Sequence, residues 1–305
     1  MFFKKPLQQL PLQYLLLFLL LGLSLWQILS KSGVTLLDGV CFLLLIGSAV
    51  ALLLTMWNFQ ISERRKYYPA MLLPLLLQCF LTTAAWQAYA TLFLLCACYY
   101  PLLFSVYTKS YRLNFGILSG MLCGLLGYLH APMLLLLLFF YATLVNQRLV
   151  SLRSLLQPLV GLLVFVLYVC ACCFLFSIPF QTVTDRLLGQ VKAISFVPLG
   201  QSWTVLTAAG AMLLLYMVST YRMIRTLYTK NILLRKKCVL LFFLSLFFLL
   251  LTLFSPAENL IPLFALGSTV VMIVCEEEVF SKRHLFENAV LAVFWLTALL
   301  TCIWK

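Results

Sequence analysis

Charge is what this chain has least of. Only 10% of its 305 residues are charged, eight are acidic and two are histidine. A soluble protein carries about 25% charged residues, so this sequence lacks the polar groups to cover a globular surface. With 64% hydrophobic residues and a mean hydropathy of +1.08, lipid must be the solvent for most of it. The scarcity extends to position. The middles of the apolar runs hold essentially no ionisable group, whereas coupled pumps and transporters place carboxylates at that depth. Also missing are a metal-ligand spacing, a phosphate-binding glycine loop and an internal repeat. Eleven cysteines are present, but they lie in or beside apolar runs, where a thiol packs as a small hydrophobe. Cys170, Cys172 and Cys173 are adjacent, yet neither a histidine nor a second cysteine pair accompanies them, so no metal and no cofactor is expected.

What is present is length and alternation. Eleven apolar segments are expected, near 12–29, 36–57, 69–84, 88–107, 114–129, 131–146, 155–178, 202–221, 237–254, 260–275 and 287–304. About 20 residues cross a bilayer at 1.5 Å each. The segments at 69–84, 114–129, 131–146 and 260–275 are therefore short, and either tilt, re-enter or extend through polar ends. The first follows Lys4 and Lys5 and has no small-residue cleavage site after it, so it reads as a retained helix.

The excess basic charge sorts by side. Lys4, Lys5; Arg64, Arg65, Lys66; Lys109, Arg112; Arg148, Arg153; Arg222, Arg225, Lys230, Arg235, Lys236, Lys237; and Lys282, Arg283 fall in alternate connections, seventeen of the 21 Lys and Arg. Loops rich in Lys and Arg stay in the cytoplasm. The expected fold is thus an all-α integral membrane protein, a single polytopic domain over 1–305 with about eleven transmembrane helices. Its N-terminus is cytoplasmic and its C-terminus lies on the opposite, outer side. The net charge of +13 reports this sidedness and an affinity for anionic phospholipid headgroups rather than nucleic acid. Arg222, Arg225, Arg235, Lys236 and Lys237 are the expected headgroup or partner contacts.

Two features stand out on the expected outer side. Val183, Leu187, Leu188, Val191 and Ile194 recur at helical spacing among polar residues, which predicts an interfacial amphipathic helix near 182–197. It is either an anchor or a flap over a lipid-facing cavity, with Arg186 and Lys192 as candidate phosphate ligands. Leu129-His130-Ala131-Pro132 breaks two apolar segments, because proline suits a first helical turn and disfavours helix before it. Asp38, Glu258 and His130 are the candidate acid–base residues at this level. Asp38 also suits a helix N-terminus, and Glu258 a solvated turn. Gly120, Gly124 and Gly127 are candidate helix-packing positions, the first two forming a small-xxx-small pair.

Phe2-Phe3-Lys4-Lys5-Pro6, the stretch from Asn58 through Tyr68 leading to Pro69, the glycine-rich run from Leu118 to Pro132, and Asn146-Gln147-Arg148 with Arg153 form a layout. It resembles an uncharacterised family of roughly 300-residue multi-pass inner-membrane proteins of Bacteroidota; that resemblance implies a bacterial inner membrane with a periplasmic C-terminus, and no activity. The glycine-rich helix, the break at His130 and the Pro256/Pro262 region also resemble the membrane halves of polyprenyl-phosphate-sugar-dependent glycosyltransferases. Those enzymes carry a catalytic carboxylate in a long first external loop. Here that loop is about six residues long with Asp38 at its end, which points to a non-catalytic relative or a partner subunit.

Three functions follow as expectations. The first is handling of a lipid-linked substrate, such as a polyprenyl-phosphate lipid carrying a sugar, at the outer leaflet. The second is a scaffold or accessory role with other membrane protein subunits. The third is a transporter or channel.

Overall fold

The computed structural model describes residues 22, 36–58, 68–77, 85–107, 113–146, 151–192, 203–229, 232–254 and 260–278. The expected last apolar helix, the expected first one apart from Gly22, Glu258, and the part of the amphipathic segment beyond Lys192 lie outside the described residues. Among the described residues the chain is helical and contains no strand. In these residues ten α-helices run in order: α1 (Leu36–Asn58), α2 (Tyr68–Leu77), α3 (Trp86–Tyr107), α4 (Leu113–Leu129), α5 (Leu136–Asn146), α6 (Leu152–Leu175), α7 (Phe180–Lys192), α8 (Trp203–Arg225), α9 (Ile232–Phe254) and α10 (Ile261–Glu278). A 3-10 turn over Ala131–Leu135 leads into α5, and another over Leu227–Thr229 follows α8.

Among the described residues, three helices carry spans long and apolar enough to cross a membrane: Leu36–Thr55, Leu152–Leu175 and Arg235–Phe254. The 24 residues of α6 extend about 36 Å. Three shorter apolar helical stretches, Gly116–Leu129, Ala131–Val145 and Ile261–Val274, stand beside them. This is the composition of a membrane protein. Hydroxyl groups follow the same logic. Ser48, Thr55, Ser119, Thr143, Ser268 and Thr269 donate to a carbonyl three or four residues earlier in their own helix, which satisfies a polar group where water is absent.

The core is organised around α10. All its described side chains from Ile261 to Val274 are buried, as expected for a helix that is apolar on every face. Helices α2, α3, α8 and α9 surround it. Tyr99 of α3 shares a 2.8 Å hydrogen bond with Ser268, and Tyr89 meets Phe264 edge-on at 5.8 Å. Ser245 of α9 donates to the Tyr216 hydroxyl of α8 at 3.2 Å. Outside this core, α4 leans on α3, and α6 leans on α4. The outward surface of α6 is a broad apolar face that includes Leu159, Leu163, Leu167 and Phe174.

Two local signals set the approach to the site. His130 adopts an extended backbone (φ −148°, ψ 104°) between α4 and the 3-10 turn, where Pro132 sits in the first turn. Helix α6 begins at Ser151, whose hydroxyl accepts the Ser154 N–H at 3.2 Å while the Ser154 hydroxyl accepts the Ser151 N–H at 2.9 Å. That reciprocal pair is a capping box with serine at both ends.

Candidate functional site

The site begins with glycine. A side chain on Gly120 would run into the carbonyl of Pro158, and one on Gly161 would run into the carbonyl of Ile117. The two backbones therefore touch where α4 and α6 cross, the arrangement small residues permit. One turn further, Gly124 faces the Phe165 ring, whose Cδ1 lies 2.7 Å from where its Cβ would be. Gly127 faces the Leu134 side chain instead, so it seats the 3-10 turn after the break rather than α6. Residue numbers rise together along the contact, from Gly120 with Pro158 to Gly124 with Phe165, so α4 and α6 run parallel and α5 carries the chain back between them.

Past this crossing, larger side chains line a cleft of about 300 Å³. Leu125 and Tyr128 come from α4. Phe165, Tyr168, Val169, Cys172 and Cys173 come from α6. Ile178 comes from the turn, and Thr182, Val183 and Arg186 from α7. The volume is at the low end for a small-ligand site, and an apolar lining with one charged group is the usual form of such a site. The Arg186 guanidinium lies over the Tyr128 ring, 5.2 Å from its centroid, within the range of a cation–π contact.

Helix α7 is the amphipathic segment, and it lies across the break. The Gln190 side-chain carbonyl accepts the Ala131 N–H at 2.8 Å, and its NH₂ donates to the Leu129 carbonyl at 3.3 Å. None of its residues is buried, and Leu188 and Val191 of its apolar set are more than half exposed. His130, between these two contacts, is 4% exposed. It belongs to neither apolar helix, and burial pushes its imidazole down to about 4.

The other candidate residues distribute as follows. Asp38 is half-buried in the first turn of α1, within electrostatic reach of Tyr89 on α3, and is not a residue of the cleft. Lys192 is exposed at the end of α7. Arg222 and Arg225 end α8, and Arg235 stacks on Tyr228 at 5.8 Å while donating to its carbonyl at 3.1 Å. Lys236 is half-buried. Lys237 departs from the expected headgroup contact, being fully buried. The reason is helical phase: Lys237, Leu241, Leu244 and Phe248 fall on one stripe of α9, and all four are within 1% of complete burial. Cys170, Cys172 and Cys173 are free thiols, and no group of three His, Cys, Asp or Glu converges among the described residues. Gln190 and Tyr128 were not distinguishable as site residues by sequence. Each becomes one only because α7 folds back over the break.

No protein-family model, curated protein or solved structure matches the chain.

Proposed function

We propose that this chain is a multi-pass protein of a bacterial inner membrane that holds a lipid-linked substrate at the outer leaflet, without reaction chemistry of its own. The hydrocarbon part of the substrate, a polyprenyl chain carrying a phosphate-linked sugar or similar, occupies the cleft between α4 and α6. Its phosphate meets Arg186. The observation that carries this reading is the combination at one place of an apolar cleft, an amphipathic helix over it and a guanidinium on its rim. Moving methylene groups from lipid tails into such a cleft brings no hydrophobic gain, only van der Waals packing, so the charge-assisted hydrogen bond from the guanidinium to the phosphate is the contact that distinguishes the substrate from bulk lipid. The outer placement follows from charge. Arg153 lies in the first turn of α6, the cleft is at the opposite end of that helix, and the basic end is assigned to the cytoplasm.

An accessory role is favoured by a different observation, the exposed apolar face of α6, which suits a neighbouring membrane subunit as well as lipid. Native mass spectrometry of the full chain, released gently from its own membrane, separates the two. A retained polyprenyl-phosphate or glycolipid mass that disappears in Arg186→Ala supports the lipid reading. Retention of a protein subunit, with only bulk phospholipid in both forms, overturns it.

A further inference from the structure

We propose that Gln190 is a latch: its two hydrogen bonds hold α7 closed over the cleft, and their release swings α7 about the turn at Ser177 to admit ligand. The idea rests on the cleft being the ligand site. A continuous helix would use every backbone group internally. The break at His130 instead leaves the Ala131 N–H and the Leu129 carbonyl to be satisfied from elsewhere. A glutamine amide carries an acceptor oxygen and a donor NH₂ on one carbon, and Gln190 engages both ends, at 2.8 and 3.3 Å. These are directional attachments on a helix that buries no residue of its own.

The other end of α7 has a defined pivot. Helix α6 closes with the Ile178 N–H on the Cys173 carbonyl at 2.9 Å and the Ser177 N–H on the Phe174 carbonyl at 3.3 Å. This is a left-handed helix stop with Ser177 at φ 54° in the position glycine usually takes. Pro179 follows at once and prevents α6 from running on. Helix α7 is therefore an arm of 13 residues, pivoted near Ser177, with its clasp close to the far end and Arg186 between them. Unclasping moves Arg186 off Tyr128 and uncovers the face of the cleft formed by Cys172 and Val169.

The test uses the full chain in lipid nanodiscs without added ligand. Gln190→Met keeps length and volume while removing both hydrogen-bonding ends. Two bonds lost predict a rise of about tenfold in the open population. Amide hydrogen exchange across 180–192 and alkylation of Cys172 by N-ethylmaleimide should both accelerate by that factor, with α9 and α10 unchanged. Wild-type rates across 180–192 in the variant would overturn the latch. If Gln190→Met exchanges faster everywhere, the unaltered chain decides. There the Ala131 amide and the α7 amides should exchange with one opening constant, and an Ala131 amide that stays protected while α7 exchanges overturns the idea. Neither readout involves a lipid-linked ligand, so a failure here leaves the lipid reading standing, whereas a failure in native mass spectrometry removes the ligand and leaves only the opening motion of α7.

Discussion

Gly120 of α4 lies directly against the carbonyl of Pro158 in α6, with no room for a Cβ between them. Gly161 repeats the contact from the other side, against Ile117. Because the obstacle is backbone, a larger residue cannot be accommodated by turning a side chain. Gly120→Ala should destabilise the chain by about 3 kcal/mol, at the upper end for overpacking. Gly124→Ala meets the Phe165 ring, which can shift, and should cost about 1 kcal/mol. Gly210→Ala has open space around it and should be neutral or gain up to about 1 kcal/mol of helix propensity. Thermal unfolding of the three variants in one detergent checks the order, and a Gly120→Ala protein as stable as Gly210→Ala would refute the backbone contact.

Arg186 and Tyr128 form the other defining pair. The contact holds the guanidinium on the cleft rim, at a value of about 0.5–1 kcal/mol for an exposed pair. Tyr128→Leu should therefore weaken retention of a polyprenyl phosphate about two- to fivefold, measured by competition in native mass spectrometry. Arg186→Lys keeps the charge but loses the forked donors, so it should fall between the wild type and Arg186→Ala. Equal retention by Arg186→Lys and wild type would show that charge alone matters.

How much of this could be read from the chain is best judged residue by residue. The break at His130 was legible because proline acts through local sterics, without reference to the rest of the fold. The small-residue spacing of Gly120 and Gly124 was legible too, but not its partner, since Pro158 and Gly161 are 38 and 41 residues away and nothing local pairs them. The amphipathic helix was visible in its period, yet its role was left between an anchor and a flap, because periodicity does not say what lies beneath. Gln190 looked like any solvated glutamine on a polar face. Lys237 shows the reverse error. Membership of a basic cluster suggested a headgroup or partner contact, whereas its phase with Leu241 and Leu244 carries it inside. Local sterics and period are written in sequence; which surfaces meet is not.

Ser177 holds a left-handed backbone, φ 54°, at the end of α6. A side chain in that region costs about 1–2 kcal/mol relative to the ordinary helical region, and glycine avoids most of it. Ser177→Gly should raise stability by up to about 1 kcal/mol, and the β-branched Ser177→Val should lower it by more than that. Thermal unfolding reads both changes. A Ser177→Val protein of unchanged stability would mean that the turn before α7 is not held in this conformation.

His130 supplies a pH dependence with a definite sign. Its ordinary value is 6.5, and burial lowers it to about 4 in the folded chain. Below 6.5 the unfolded chain takes up a proton that the folded one refuses, so the unfolded state binds more protons and stability falls as pH falls. The loss begins near pH 6.5 and is complete below about 4, amounting to about 3 kcal/mol for a shift of this size. His130→Gln has no such titration. Its midpoint of thermal unfolding should decline less than the wild type's between pH 7 and pH 4.5, even if its stability at pH 7 is lower. Parallel decline of the two proteins across that window would mean that the imidazole takes up its proton equally well in the folded and unfolded chains.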